Sequence, residues 1–450
     1  MQISEAIKGL MTGDGRTATV AKNVIASFVI KGVSIIVSFA LVPLTIGYVS
    51  SELYGVWLTL SSILTWLSFL DIGFSQGLKN KLTEAIANDD WEKGKSLVST
   101  TYFMMLLIFI PVCLLLEIII PMINWCSLLN VGYQFQEELI AVIRVLVAFA
   151  CLQMVVNVFL YVVDAFQKVA LSNTFVVLGN LISLFIIYIL TKTTPPSLIA
   201  LALSLAAMPI LVTILASFIL YSSRFRKVAP SFLSINCKYV KDLFSLGYKF
   251  FIINIQSVVL YQSTNILISN VSSPNYVTTY NIAYKLLSVA MMAYYIITTP
   301  LWPAYTDAYT RKDFNWMINM RGQMHKILVI SIIGCIATGI MSPFIYNLWI
   351  GESVHVPYEM TAIVCLYIII VCWSTLNGTL LTGMGKVKLS SYIVVVGMFV
   401  HIPLSLFLSK FIGCYGIIGS MSLITLMYSI VFNIQINKIF SQKAIGIWNE

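Results

Sequence analysis

Four basic residues, Lys31, Arg144, Lys249 and Lys285, interrupt long apolar stretches of this 450-residue chain. An ionisable side chain at the centre of a membrane helix costs at least ~2.5–3.5 kcal/mol, so it is read first as part of a site. The bland alternative is a long side chain snorkelling to the interface near a helix end. Helical phase separates the two readings, because each residue turns by ~100°. Lys31 shares a face with Ser34, Ser38 and Thr45. Lys285 shares one with Asn281, Ser288, Tyr295 and Thr299, and Asn254, Ser257, Tyr261 and Thr264 form a third polar stripe. Hydroxyls and amides beside an ammonium suit a water-filled cleft. The expected cavity-lining, substrate-binding residues are therefore Lys31, Ser34, Ser38, Asn254, Ser257, Tyr261, Asn281, Lys285, Ser288 and Tyr295.

Asp71 falls with Trp57, Ser61, Ser68 and Ser75 on one ~80° arc near the inner end of its apolar stretch. It is the candidate for gating or ion coupling, with helix capping as the alternative. Arg144 lies near an outer end, and the polar stripe of its own helix (Gln153, Asn157, Tyr161, Asp164) points nearly the opposite way. Arg144 therefore reads as a snorkelling side chain, as do Glu117 and Lys249.

The elements that position these residues are membrane helices. Of the chain, 59% is hydrophobic and 10% charged, whereas a soluble domain carries ~25% charge. Stretches of ~20 apolar residues recur, at about 24–48, 53–77, 98–123, 139–163, 171–192, 197–221, 244–270, 277–301, 326–350, 357–383, 387–409 and 413–437. With the N-terminus inside, 21 of the 27 Lys and Arg fall in inner loops, two in outer loops and four in spans. That asymmetry places both termini in the cytoplasm. It also accounts for the net charge of +9 without a nucleic-acid partner.

The halves repeat. Val49-Ser50-Ser51 with Tyr54 matches Val271-Ser272-Ser273 with Tyr276. Thr83-Glu84-Ala85, then Asp90-Trp91, matches Thr306-Asp307-Ala308, then Asp313-Phe314. Lys168–Gly179 matches Lys386–Gly397 at seven of twelve positions. Six spans per half keep both halves in one orientation, a parallel repeat about an axis along the membrane normal. The expected fold is all-α: a polytopic membrane protein of about twelve transmembrane helices in two pseudo-symmetric six-helix lobes. The lobes are residues 1–221 and 243–450, joined by a basic cytoplasmic linker at 222–242. Such lobes suit alternating access.

No G-x-x-x-x-G-K-[ST] phosphate loop occurs. The three His and eight Cys are scattered without metal-ligand or disulfide spacing. No cofactor, metal or catalytic residue is expected. The short outer loops disfavour an enzyme such as a membrane glycan polymerase or transferase.

A resemblance joins this reading. Pro43 is followed by Tyr54-Gly55-Val56-Trp57; Trp66 leads to Asp71-Ile72-Gly73 and Gly77-Leu78-Lys79-Asn80. Phe166-Gln167-Lys168 with Ser172-Asn173, and Tyr280 through Leu286 (YNIAYKL), come later. Taken in order, these stretches resemble the O-antigen (Wzx-type) polysaccharide flippases of the multidrug/oligosaccharidyl-lipid/polysaccharide exporter superfamily. The resemblance implies a cationic cavity and a polyprenyl-diphosphate-linked oligosaccharide as cargo, flipped outward across the bacterial inner membrane. A polysaccharide polymerase and a chain-length regulator are then candidate partners, beside membrane lipid. The alternative is a cation-coupled multidrug exporter of the same superfamily.

Overall fold

The structure is a computed structural model that describes residues 15–71, 73–298 and 301–449. Side chains are described from residue 29 onward, except at 69, 245–258, 296, 302–304 and 307. Among the described residues there are fifteen α-helices and no strand. The first half holds α1 (Gly15–Val49), α2 (Ser51–Thr65), α3 (Phe74–Ala87), α4 (Trp91–Ile119), the short α5 (Trp125–Leu129), α6 (Gln136–Ala165), α7 (Val169–Thr193) and α8 (Leu198–Ser222). The second holds α9 (Lys238–Val271), α10 (Pro274–Thr298), α11 (Leu301–Thr310), α12 (Phe314–Ile350), α13 (Tyr358–Gly383), α14 (Lys388–Ile412) and α15 (Tyr415–Phe440).

Among the described residues, nine helices are long and apolar enough to cross a membrane: α1, α4, α6, α7, α8, α12, α13, α14 and α15. The expected spans 244–270 and 277–301 fall on α9 and α10. The expected span 53–77 is not one helix. It stops at Thr65, tightens into a 3₁₀ segment at Trp66–Asp71 and restarts at Phe74. Gly73 precedes the restart with φ of 82°, a left-handed conformation open to glycine at no steric cost. The Ser75 backbone N–H and hydroxyl then both donate to Asp71 Oδ1, at 3.1 and 3.2 Å. A carboxylate capping a free N–H in the first turn stabilises that helix start. Asp71 and Ser75 therefore lie across a break from Trp57 and Ser61, not on one continuous helical arc.

The chain divides into two compact units. The first comprises residues up to 50 with 63–127 and 132–255, and the second 51–62, 128–131 and 256–450. In the first unit α3 packs on α4 and α6, α4 on α6, α6 on α8, and α7 on α8 and α1. In the second, α11 packs on α12 and α13, α12 on α13, α13 on α15, and α14 on α15. The pairings among α3, α4, α6, α7 and α8 recur among α11, α12, α13, α14 and α15.

The sequence repeats carry their geometry with them. Asp90 and Asp313 each cap a helix, accepting from Lys93 N at 3.1 Å and Trp316 N at 3.0 Å. The residue before each cap has positive φ, 54° at Asp89 and 60° at Lys312. The cap N–H then returns to Ala85 O and Ala308 O, both at 2.9 Å. Matched glycines also behave alike: a Cβ on Gly179 would strike Pro209 of α8, and one on Gly397 would strike Tyr428 of α15. In lipid, apolar area gives no preference for helix over solvent, so helices associate through close packing at such small residues.

Two further close approaches explain the unit boundaries. A Cβ on Gly55 of α2 would overlap the Pro274 carbonyl of α10. Beside it, Ser51 Oγ donates to Asn275 Oδ1 at 2.6 Å and Thr278 Oγ1 donates to Ser51 O at 2.6 Å. The first turns of α2 are thereby held in the second unit. Gly77 of α3 meets the Leu243 backbone of α9 in the same way, with Phe74 and Phe244 rings 6.1 Å apart, inside the first unit.

Candidate functional site

The second unit contains a cavity of about 240 Å³ between α9, α10, α13, α14 and α15. Its polar lining is Tyr261, Tyr295, Tyr367 and Tyr428 with Ser374, Thr375 and Thr425. Leu260, Val371, Gly378, Val394, Met421 and Phe432 also line it, and none of these described residues is charged. Helical spacing makes this lining. Tyr367, Val371, Ser374, Thr375 and Gly378 form one face of α13, and Met421, Thr425, Tyr428 and Phe432 one face of α15.

Two predicted site residues meet here. Tyr261 and Tyr295 are 37% and 41% exposed and form the rim, while Tyr367 and Tyr428 are 2% and 4% exposed and lie deep. Thr375 Oγ1 donates to Val371 O at 2.8 Å and also approaches Tyr295 Oη at 3.3 Å. Thr425 Oγ1 donates to Met421 O at 2.8 Å, and Tyr428 Oη donates to Val394 O at 3.3 Å. Tyr428 also stacks on Phe432, with centroids 6.3 Å apart.

Lys285 is half-buried on α10, the helix that carries Tyr295. Ser288 is buried and returns its hydroxyl proton to Lys285 O at 2.9 Å. Asn281 is committed to the packing of the unit: its Nδ2 donates to Asn265 Oδ1 at 2.9 Å and to Val277 O at 2.8 Å. Asn265 Nδ2 in turn donates to Ser62 Oγ at 2.8 Å, which ties α2, α9 and α10 together. Buried amides need such partners. The side chains of Asn254 and Ser257 lie outside the described residues.

Lys31, Ser34 and Ser38 belong to α1 in the first unit. Lys31 is exposed, and Ser34 and Ser38 are half-buried. Three contacts of charged residues in that unit have no signal in the sequence. Asp164, placed on a polar stripe, pairs with Lys79 at 3.3 Å, and Ser172 Oγ donates to it at 2.6 Å. Arg144 and Glu117, each read as snorkelling alone, form an ion pair at 3.4 Å. Lys168 lies 5.8 Å over the Phe225 ring. Burial, and then the Arg224 guanidinium, hold its ammonium below the usual lysine range.

Comparison with known proteins decides the family. The family described as "Polysaccharide biosynthesis protein" matches residues 20–308, more than half of the chain. The chain belongs to that family. It is 20% identical over 397 residues to a Yersinia pseudotuberculosis protein whose name describes it as a candidate O-antigen exporter, covering 86% of this chain and 88% of that protein. Its fold is similar to an inward-facing multidrug resistance MATE family transporter of the MOP superfamily (TM-score 0.73, 13% identity, 93% of this chain and 95% of that one). An outward-facing conformation of a MATE family transporter gives a TM-score of 0.63 at 14% identity, covering 96% and 98%.

This member of the polysaccharide biosynthesis family is a multi-pass helical membrane protein with a fold like that of MATE family transporters. The family match runs across α1 to α10, so it includes both lysines read as cargo contacts, Lys31 and Lys285.

Proposed function

We propose that the protein is a flippase for a lipid-linked oligosaccharide. Its cargo is an undecaprenyl-diphosphate-linked repeat unit of O-antigen type, moved from the inner to the outer leaflet of the bacterial inner membrane by alternating access. Lobes 1–221 and 243–450, joined at 222–242, rock against each other, and both termini stay in the cytoplasm. A diphosphate and its sugars cannot shed their water into hydrocarbon without replacement partners. Lys285 and Lys31 supply cationic contacts to the diphosphate, the stripes of Ser34, Ser38, Asn254 and Ser257 add polar contacts, and the polyprenyl tail stays in lipid. Asp71, at the hinge-like break before α3, gates the movement.

The observation that carries this reading is Tyr295 and Lys285 on one helix, the tyrosine at the rim of an uncharged, hydroxyl-rich cavity. A polysaccharide family and an export relative give that chemistry its cargo class. The test is deletion of the gene in its own host. Lipid-linked repeat units should accumulate on the cytoplasmic side and surface polysaccharide should be lost. Intact surface glycan with altered drug sensitivity would instead establish a drug exporter. Single units exported but left unpolymerised would establish a polymerase.

A further inference from the structure

We propose that the cavity of the second unit is a subsite for one uncharged pyranose of the cargo, and so selects which repeat unit is exported. The inference rests on the flippase reading and adds the chemical class of the sugar. The lining offers what a neutral sugar needs: ring faces for its C–H surface and hydroxyl oxygens for its O–H groups. Thr375, Thr425 and Tyr428 each give their proton to a helix carbonyl, of Val371, Met421 and Val394 respectively. A hydroxyl that has spent its donor still accepts through its oxygen. The wall is therefore rich in acceptors, which match sugar O–H donors.

The same wall disfavours other occupants. A uronic or sialic carboxylate would face acceptor oxygens with no cation among the described lining residues, and an unpaired buried charge is costly. A lipid tail would bury hydroxyl oxygens against hydrocarbon and leave them unmatched. Size points to one ring, since about 240 Å³ is below the ~300–1,000 Å³ of sites that enclose drug-sized ligands. Tyr261 and Tyr295 at the rim and Tyr367 at the floor set the direction of entry.

The experiment has two arms. In the first, the full-length protein in lipid nanodiscs is probed by saturation-transfer NMR with methyl glucoside, methyl galactoside, methyl N-acetylglucosaminide, glucuronate and tetraphenylphosphonium. At least one neutral glycoside should bind, and Thr375→Val and Thr425→Val should each weaken it by about fivefold, the factor for one neutral hydrogen bond. Thr375→Ser keeps the oxygen and should restore binding. Glucuronate or tetraphenylphosphonium binding that is lost in the same two variants would overturn the assignment. So would neutral binding that both variants leave intact.

In the second arm the variants complement the deletion strain, with membrane abundance matched. The Thr375→Val, Thr425→Val double variant should export less glycan than wild type, and its full activity would overturn the subsite while leaving the flippase reading standing. Surface glycan that persists without the gene would instead overturn the flippase reading itself. A surface polysaccharide whose repeat unit contains no uncharged pyranose would also refute the subsite.

Discussion

At the scale of single residues, Arg144 and Lys285 sit in different surroundings. Arg144 has Glu117 at 3.4 Å, with side chains 47% and 33% exposed, and a partly exposed pair of this kind contributes ~0–1 kcal/mol. Lys285 is half-buried on a helix that reaches the cavity rim. A charge-assisted contact to a diphosphate amounts to ~1.5–3 kcal/mol, or about tenfold or more in affinity. Lys285→Ala and Lys31→Ala should therefore each cut surface glycan in a complemented deletion strain, at normal membrane abundance. Lys→Arg should keep more activity at both positions, because charge matters more there than shape. Arg144→Ala should be milder, and loss equal to that of Lys285→Ala would contradict this division.

At the scale of elements, three features hold helices in register, and each makes a measurable demand. Asp313 caps α12 by accepting from Trp316 N at 3.0 Å. Removing such a cap costs ~1 kcal/mol, so Asp313→Ala should lower the thermal midpoint in detergent, and Asp90→Ala should do the same for α4. The Lys79–Asp164 pair joins α3 to α6 and is half-buried, with side chains 35% and 18% exposed. Asp164→Asn and Lys79→Gln should each destabilise, and the double variant should lose less than their sum, because either change alone strands the other group. Gly55 is a steric demand. Any side chain there meets the Pro274 carbonyl, so Gly55→Val should force α2 from α10 and reduce transport more than Ser51→Ala, which removes only one hydrogen bond. Transport assays at equal abundance compare them.

At the scale of the whole molecule, the 21-to-2 division of basic loop residues predicts topology. A cysteine placed at Gln134, exposed between α5 and α6, should react with an impermeant thiol reagent added outside intact cells. One at Lys93, in the first turn of α4, should not. The opposite pattern would invert every orientation assigned here.

The local consequences of composition are legible in the chain alone. Apolar length fixes where helices run, because a backbone in lipid must satisfy its own hydrogen bonds. The segments around Asp90 and Asp313, matched in the sequence as a repeat, fold into identical caps, since a cap is closed within four residues. Tertiary structure decided what depends on how helices turn against one another. Lys79 and Asp164 are 85 residues apart, and no period links them. The break after Thr65 is invisible to hydropathy, because Trp66–Asp71 stays largely apolar while its backbone tightens. Of the predicted site residues, Tyr261 and Tyr295 reached the cavity, while Asn281 turned to Asn265. The faces of α13 and α15 bearing Tyr367, Thr375, Thr425 and Tyr428 were legible as hydroxyl stripes, yet they carry no charge to single them out. In lipid the rotation of each helix is set by small residues and hydrogen bonds. Those contacts join residues far apart in the chain, so only the packed structure shows which stripes converge.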